Sequence, residues 1–406
     1  MNHSDFKKHF PFFTHHPEVI YLDAAATALK PAPVIVAEQE YYETLSSNIA
    51  RGSYPLAEET TERFEQVRSL VATFIKAERA EEIIFTSGTT ASINLAATLF
   101  SPSLKKKHNI VITAAEHHAN FLPWKELCKK TGAELRIVPI QADGTLDESA
   151  FETLIDQNTF IMAFSAISNV LGLINPVEDI IRTIKKKNPA TIVLVDAAQA
   201  VGHMPVDVQA WDADFVAFSG HKVGGPTGIG VLFGKYDVIK NLPPVIFGGG
   251  MVLDACAPEP LYKEAPHRFE AGTPHIAGVL GLGAALQYIQ EVGLETIHAH
   301  EQHLALLAGK RLKETFGDTL TLIAPGTEET RSGILSFVLE GVHPHDVAYI
   351  LGQQGICVRA GLQCAAPLHE ALKLGASTRL SFSVLNQEED IEKLLIALKT
   401  VKEKMV

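Results

Sequence analysis

Between residues 82 and 234 short apolar runs alternate with amphipathic stretches. The runs Glu82–Ser87, Asn109–Thr113, Glu134–Ile140, Thr159–Ala166, Thr191–Ala197, Phe215–Gly220 and Gly228–Gly234 are rich in Ile, Val and Phe and mostly apolar on both faces. That pattern predicts strands of a sheet covered by helices on each side. Between them, Thr89–Leu99, Asn120–Lys130 and Pro176–Lys186 repeat apolar positions at helical spacing. The alternation predicts an α/β fold with a mostly parallel central sheet. Around Gly248–Gly250 the rhythm gives way to a segment rich in Gly and Pro that runs to about Pro274. Two long helical stretches follow, His275–Val292 and Leu294–Phe316, then strands at Ile334–Leu339 and Thr378–Val384 and helices near Asp346–Gln353 and Gln387–Glu403. We expect a large domain over 18–292 and a smaller α+β domain over 293–406, with residues 1–17 packed on the latter. No internal repeat or low-complexity segment interrupts this order.

Composition narrows the class only a little. A chain of 406 residues, 46% hydrophobic and 20% charged, has the make-up of an ordinary globular protein larger than one simple core. Its net charge of -12 argues against a nucleic acid or an anionic membrane surface as partner. The four cysteines, Cys128, Cys256, Cys357 and Cys364, show neither CxxC pairing nor regular spacing. Disulfides and structural zinc are therefore not expected, and a reducing cytoplasm is the expected location. Met1 to Phe13 lacks the apolar stretch of a secretory leader, and no run is long enough to span a bilayer.

Candidate chemistry gathers at the ends of predicted strands. Asp196 closes one strand and Lys222 follows another, in Ser219-Gly220-His221-Lys222. In open α/β sheets ligands sit beyond the carboxyl ends of the strands, so both side chains can enter one crevice. A pyridine cofactor with an aldehyde needs a carboxylate to keep its ring nitrogen protonated and a lysine to hold the aldehyde. Ser219 and His221 can donate to a phosphate, and Ser87-Gly88-Thr89-Thr90 places a second donor set at a helix N-terminus. Singly, each signal is commoner in structural roles: a strand-end aspartate is usually structural and a lysine after a strand usually solvated. Together, in this order, they point to pyridoxal phosphate.

The constellation resembles the class V aminotransferase group of fold-type I pyridoxal-phosphate enzymes, and most closely the cysteine desulfurases of the SufS/CsdA type. The resemblance rests on Tyr21-Leu22-Asp23-Ala24-Ala25-Ala26, Ser87-Gly88-Thr89-Thr90, Glu116-His117-His118-Ala119-Asn120, Ser168-Asn169-Val170-Leu171-Gly172 and Val195-Asp196-Ala197-Ala198-Gln199. It continues through Ser219 to Gly230, Arg268 to Pro274, Arg359 to Leu368 and Thr378 to Phe382. It implies that Lys222 holds the cofactor and moves the substrate Cα proton, that Asp196 pairs with the ring nitrogen and that His117 stacks on the ring. Asn169 and Gln199 then lie near the ring hydroxyl and the substrate, and Thr89, Ser219 and His221 hold the phosphate. Thr273 reaches in from the second subunit of a homodimer, Arg359 and Arg379 bind substrate, and the planar fork of Arg379 clamps its carboxylate. Cys364 takes sulfur from L-cysteine as a persulfide, leaving L-alanine, with a SufE-type or SufU-type protein as sulfur acceptor and iron–sulfur cluster assembly as the pathway. Without the resemblance, Cys364 reads first as a small buried hydrophobe, although its Gly- and Pro-flanked setting favours exposure. Other reactions on the same fold stay open: selenocysteine lyase, cysteine sulfinate desulfinase, another class V aminotransferase or an epimerase. So does a catalytically silent partner protein.

This chain departs from the resemblance at Ala50, Tyr54 and Gln363, where relatives usually carry histidine, and at Gly224 and Gly225, where a bulkier residue is common. Gly225 to Gly230 leads into a strand, which excludes a Rossmann loop. His298, His300 and His303 do not share one helical face, so a solvated surface is expected there and no metal site. Lys105–Lys107 and Lys185–Lys187 fit helix C-termini as solvated faces. Cys357 is expected in the core. His345 is expected as a helix cap, or, from some relatives, as a zinc ligand offered to a SufU-like acceptor.

Overall fold

The computed structural model describes residues 6–256 and 258–405. Strands β1 (Ile83–Thr86), β2 (Asn109–Thr113), β3 (Glu134–Val138), β4 (Thr159–Ser165), β5 (Ile192–Asp196), β6 (Phe215–Ser219) and β7 (Gly230–Gly234) form one sheet in the order β1-β7-β6-β5-β4-β2-β3. β2 to β6 pair in parallel, and β7 runs antiparallel between β6 and β1. The sheet is thus mostly parallel and flanked by helices, as the apolar alternation predicts. The fully buried strands are the continuous apolar runs: β2, β6 and β7 have every residue buried. β3 is the exception, with only Val138 buried, because it sits on the sheet edge.

A second sheet is antiparallel. Its strands β8 (Leu320–Ile323), β9 (Ile334–Leu339), β10 (Arg359–Gly361) and β11 (Ser377–Ser381) lie in the order β8-β9-β11-β10. Helices Leu294–Phe316 and Glu388–Met405 cover it around a separate core that includes Leu304, Leu335, Phe337, Leu380 and Leu398. Ile20 and Leu22 belong to this core as well, and Ile20–Tyr21 pairs in parallel with Ile356–Cys357. Phe10 and Phe13 pack with Leu385, and Phe10 meets Tyr288 edge to face. The amino-terminal segment therefore touches elements from both halves of the chain.

Helices Ala32–Glu40 and Pro55–Phe74 lie outside the pattern read from the sequence. The inward face of the second contains Thr60 and Arg68 among Phe64, Val67 and Val71, and these polar members blur its periodicity. Arg68 is only 2% exposed and forms a two-pronged pair with Glu270, at 2.7 and 2.9 Å. Glu270 also accepts from the Phe85 N–H at 2.7 Å, which ties the Pro55–Phe74 helix to β1. Among the described residues no helix is long and apolar enough to cross a membrane.

Removing Glu270 leaves a buried guanidinium short of its partner and a buried N–H without an acceptor. Glu270→Ala should cost about 3 kcal/mol, read as a lower urea midpoint. Glu65→Ala, which removes the half-exposed partner of Arg68, should cost under about 1 kcal/mol.

Candidate active site

Parallel strands bring their carboxyl ends to one edge of a sheet, and this chain spends that edge on chemistry. Thr113, Ser165, Asp196 and Ser219 are the last residues of β2, β4, β5 and β6, and Thr86 ends β1 on the same side. Glu116 and His117, Asn169, Gln199, Lys222 and Thr89 follow within a few residues. All of these but Glu116, with Ser165, Asp196 and Ser219, line a cavity of about 350 Å³ closed from the other side by Arg359 of β10, Arg379 of β11 and the turn bearing Gln363 and Cys364. The structure thus brings together Thr89, His117, Asn169, Asp196, Gln199, Ser219, His221, Lys222, Arg359, Cys364 and Arg379. Thr273 alone is elsewhere. It is exposed and lines a separate cavity with Asn48, Arg51, Lys263 and His267.

One corner is built by glycine. Gly230 opens β7 between Thr86 and Ser219, and a Cβ there would lie 2.4 Å from the Gly88 Cα. Gly88 itself has φ of 146°, a conformation that favours glycine. This close approach seats the N-terminus of helix Thr89–Phe100 against β6: the Thr89 N–H donates to Ser219 Oγ at 2.7 Å, and the two hydroxyls are 2.6 Å apart. Hydroxyls and helix N–H groups converging there form a site for an anion.

The cavity floor holds buried charge. Lys222 is half-buried in the cavity wall, and desolvation lowers its amine to about 8 against the partial support of Asp196. Asp196 is 5% exposed and its carboxyl is raised by the same desolvation, with Lys222 and the Ala198 N–H opposing. Burial, then the Lys222 charge, pushes both His117 and His221 down to about 4, so both rings are neutral at pH 7. Behind them Glu116, raised by burial to about 7, accepts from Thr113 Oγ1, Asn120 Nδ2 and Ser165 Oγ at 2.5 to 2.6 Å.

Strand register sets Arg359 opposite Arg379. Like charges so placed repel, and Asp23 joins them: its carboxylate is 2.7 Å from Arg359 and 3.2 Å from Arg379. Arg379 also donates to the Asn169 carbonyl at 2.8 Å. Three buried polar atoms around this cavity lack a partner within the protein, Asn169 Oδ1, Gln199 Oε1 and Arg379 Nε. They are capacity for a polar ligand.

Cys364 is exposed at the cavity mouth, in keeping with its Gly- and Pro-flanked setting. Gln363 and Cys364 have φ of 42° and 57°, a left-handed pair. Each such non-glycine residue costs about 1–2 kcal/mol, which the surrounding hydrogen bonds must offset.

Several expectations need correction. Cys357 is half-buried and not in the core. The cap of helix Pro344–Gly352 is His343, whose Nδ1 accepts from the His345 N–H, while His345 is exposed. His300 is half-buried against the Asn386 carbonyl, and His303 pairs with Glu388, so these two fasten the last helix to its neighbour. Sequence reasoning missed Asp23, Glu116 and His118 as working parts, although all three stand inside segments that carry the resemblance. A charge inside an otherwise apolar run, as at Asp23 and Glu116, is the signal that marks them. His203 and Glu301, a part-buried pair at 2.8 Å, carried no such signal because 98 residues separate them.

Residues 20–394 match the aminotransferase class-V family. The chain belongs to that family and, within it, groups with the cysteine desulfurases. A probable cysteine desulfurase of Halalkalibacterium halodurans is 44% identical, covering 99% of this chain and 98% of that one. Among solved structures, the apo cysteine desulfurase of Thermococcus onnurineus NA1 superposes with a TM-score of 0.93 at 38% identity, covering 98% of each chain. The Escherichia coli cysteine desulfurase CsdA, solved as its S-sulfonic acid, gives 0.91 at 35% identity over 100% of each chain. Pyridoxal phosphate is the general cofactor of this family.

The depressed Lys222 amine has a direct consequence. Reaction of the cofactor-free protein with a small aldehyde, trapped by borohydride and read by mass spectrometry, should label Lys222 at a rate that rises with pH to about 8 and then levels. An ordinary lysine keeps gaining rate up to roughly pH 10, and a Lys222 profile of that form would contradict the assigned burial.

Proposed function

We propose that this chain is a pyridoxal-phosphate-dependent L-cysteine desulfurase that leaves the sulfur of L-cysteine on Cys364 and releases L-alanine. The observation that carries this reading is one cavity shared by the half-buried Lys222, the buried Asp196, the Arg359–Arg379 pair and an exposed thiol.

The residues fit the cofactor. Lys222 supplies an amine that burial makes available near neutral pH, and Asp196 a carboxylate for a ring nitrogen. Thr89, Ser219 and His221 supply donors for a phosphate at the helix N-terminus, and His117 lies alongside as a neutral ring. Asn169 Oδ1 and Gln199 Oε1 are acceptors for the ring hydroxyl and substrate amine. When bound, the cofactor supplies an electron-withdrawing ring that stabilises negative charge at the substrate Cα.

The protein does the rest. Arg379, with Arg359 beside it, holds the substrate carboxylate; Asp23 has already neutralised one of the two positive charges, so a single carboxylate completes the balance. Lys222 moves the proton at Cα. The Cys364 thiolate then attacks the substrate Sγ: the Cβ–Sγ bond breaks, an Sγ–Sγ bond forms, and the electron pair left on Cβ takes up a proton to give alanine. No external oxidant or reductant enters, because the electrons of the broken bond reduce carbon as sulfur passes to the thiol.

The same reading carries several further proposals. The domain division at 292/293 separates a cofactor-binding unit from the part that carries Cys364. A homodimer explains why Thr273 lies outside the cavity it is assigned to serve. The surface near the same glycine-rich segment exposes Phe247 (67%) and Leu253 (72%), apolar area suited to a second copy. The acceptor is a protein of SufE or SufU type working in a reducing cytoplasm. His345 supports the second type, since its exposed ring rests against Gly361, just before the Cys364 turn.

Alanine production from cysteine by wild type and Cys364→Ala, with and without each acceptor type, tests the reading. Cys364→Ala should lose activity on cysteine by on the order of a hundredfold or more while keeping cofactor absorbance and cleaving selenocysteine or cysteine sulfinate. Full cysteine activity in that variant would remove the persulfide assignment.

A further inference from the structure

The turn that bears Cys364 is held from three directions. Asn169 Nδ2 donates to the Gln363 carbonyl at 2.8 Å, and the His118 N–H donates to the Cys364 carbonyl at 2.7 Å. The Ala366 N–H in turn donates to His118 Nε2 at 3.1 Å. These bonds fix backbone groups facing the large sheet. The link to the small sheet is a side chain: Gln363 Nε2 donates to the Ser377 carbonyl at 2.9 Å, and Gln363 Oε1 accepts from Ser377 Oγ at 3.1 Å.

Ser377 is a fixed anchor. It is fully buried at the start of β11, and strand register sets it opposite Gly361, at the beginning of the same turn. The buried His369 ring donates through Nδ1 to the Ala365 carbonyl at 3.0 Å, and its Nε2 is 3.0 Å from the Ser377 hydroxyl, so the anchor is joined to the far side of the turn as well. His369 Nε2 shares that hydroxyl's one proton with Gln363 Oε1, so the Gln363 Nε2 bond to the Ser377 carbonyl is the firm half of the link. Gln363 thus spans the base of a loop whose next residue is the thiol. It does so at φ of 42°, followed by Cys364 at 57°, a conformation that non-glycine residues leave unless tethered. An amide suits the task because it offers a donor and an acceptor at once; an apolar side chain of the same length offers neither.

We propose that Gln363 is a positioning residue for the sulfur-transfer step: its amide, clamped on Ser377, keeps the Cys364 turn in its left-handed form with the thiol at the cavity mouth. The assignment rests on the desulfurase reading for its effect on rate, but the clamp itself is testable without turnover. Attack on a substrate sulfur depends on where the thiolate sits, and small displacements of a reacting atom cost large factors in rate. Loosening the clamp should therefore act on kcat much more than on KM, because Arg379, which holds the substrate carboxylate, stays in place.

The test uses the cofactor-loaded wild type, Gln363→Met and Ser377→Ala, with two readouts: alanine formation from cysteine, and the rate at which iodoacetamide alkylates Cys364, followed by peptide mass spectrometry. Gln363→Met should lower kcat about tenfold or more with KM within about threefold, and speed alkylation about threefold as the turn opens. Ser377→Ala, which removes one hydroxyl and keeps the carbonyl acceptor, should shift both readouts in the same direction by less. It also decides the matter if Gln363→Met does not fold. Wild-type kcat and alkylation rate in the variants would overturn the proposal. So would a fall in kcat that only tracks lost cofactor absorbance while alkylation is unchanged. A wild type that makes no alanine from cysteine would instead sink the desulfurase reading, and the alkylation comparison would still decide the clamp.

Discussion

Arg379 is the point at which the halves of this molecule are joined, and the join is electrostatic. Register in the small sheet sets it against Arg359, an arrangement of like charges that would not persist alone. Asp23, from the strand segment next to Ser381, supplies the carboxylate that both guanidiniums share. The same Arg379 donates to the Asn169 carbonyl, Asn169 donates to the Gln363 carbonyl, and Gln363 returns to Ser377 two residues before Arg379. A closed circuit of hydrogen bonds therefore connects the amino-terminal segment, a loop of the large sheet and the thiol-bearing turn. The geometry of the candidate active site depends on that circuit, because neither sheet supplies all of its walls.

Desolvation does the complementary work inside the cavity. Burying an amine and a carboxylate in one place is costly for each alone, and each lowers the cost of the other. The result is a lysine whose amine is lowered to about 8 and two histidines kept uncharged at pH 7. Glu116 shows the opposite strategy: with hydroxyl and amide donors from three residues, it is a buried carboxylate answered by hydrogen bonds in place of a counter-charge.

The departures at Ala50, Tyr54 and Gln363 take on different meanings in this frame. Arg51 and Thr273 border the same cavity as Ala50, and that cavity is separate from the one that holds Lys222. Gln363 is at the centre of the thiol-bearing turn. An amide in that place cannot titrate, but it can bind two ways at once, and the structure uses both.

Much of this was legible in the chain itself. The parallel α/β sheet followed from alternating apolar runs, and the strand-end positions of Asp196, Ser219 and Lys222 followed from where those runs stop. These are local features: a strand's end and the residues after it are neighbours in sequence, and parallel pairing sends every such end to the same edge. What remained hidden was long-range. Asp23 meets Arg379 across 356 residues and Arg68 meets Glu270 across 202. Helix Pro55–Phe74 was obscured because its buried face contains the very arginine that makes the second contact. The sequence by itself determined the fold class and the sheet edge that carries the candidate site, because periodicity and chain order suffice for both. Only the tertiary structure decided which charges answer one another and what holds Cys364, because ion pairs and hydrogen bonds depend on distances in space that residue numbers do not encode.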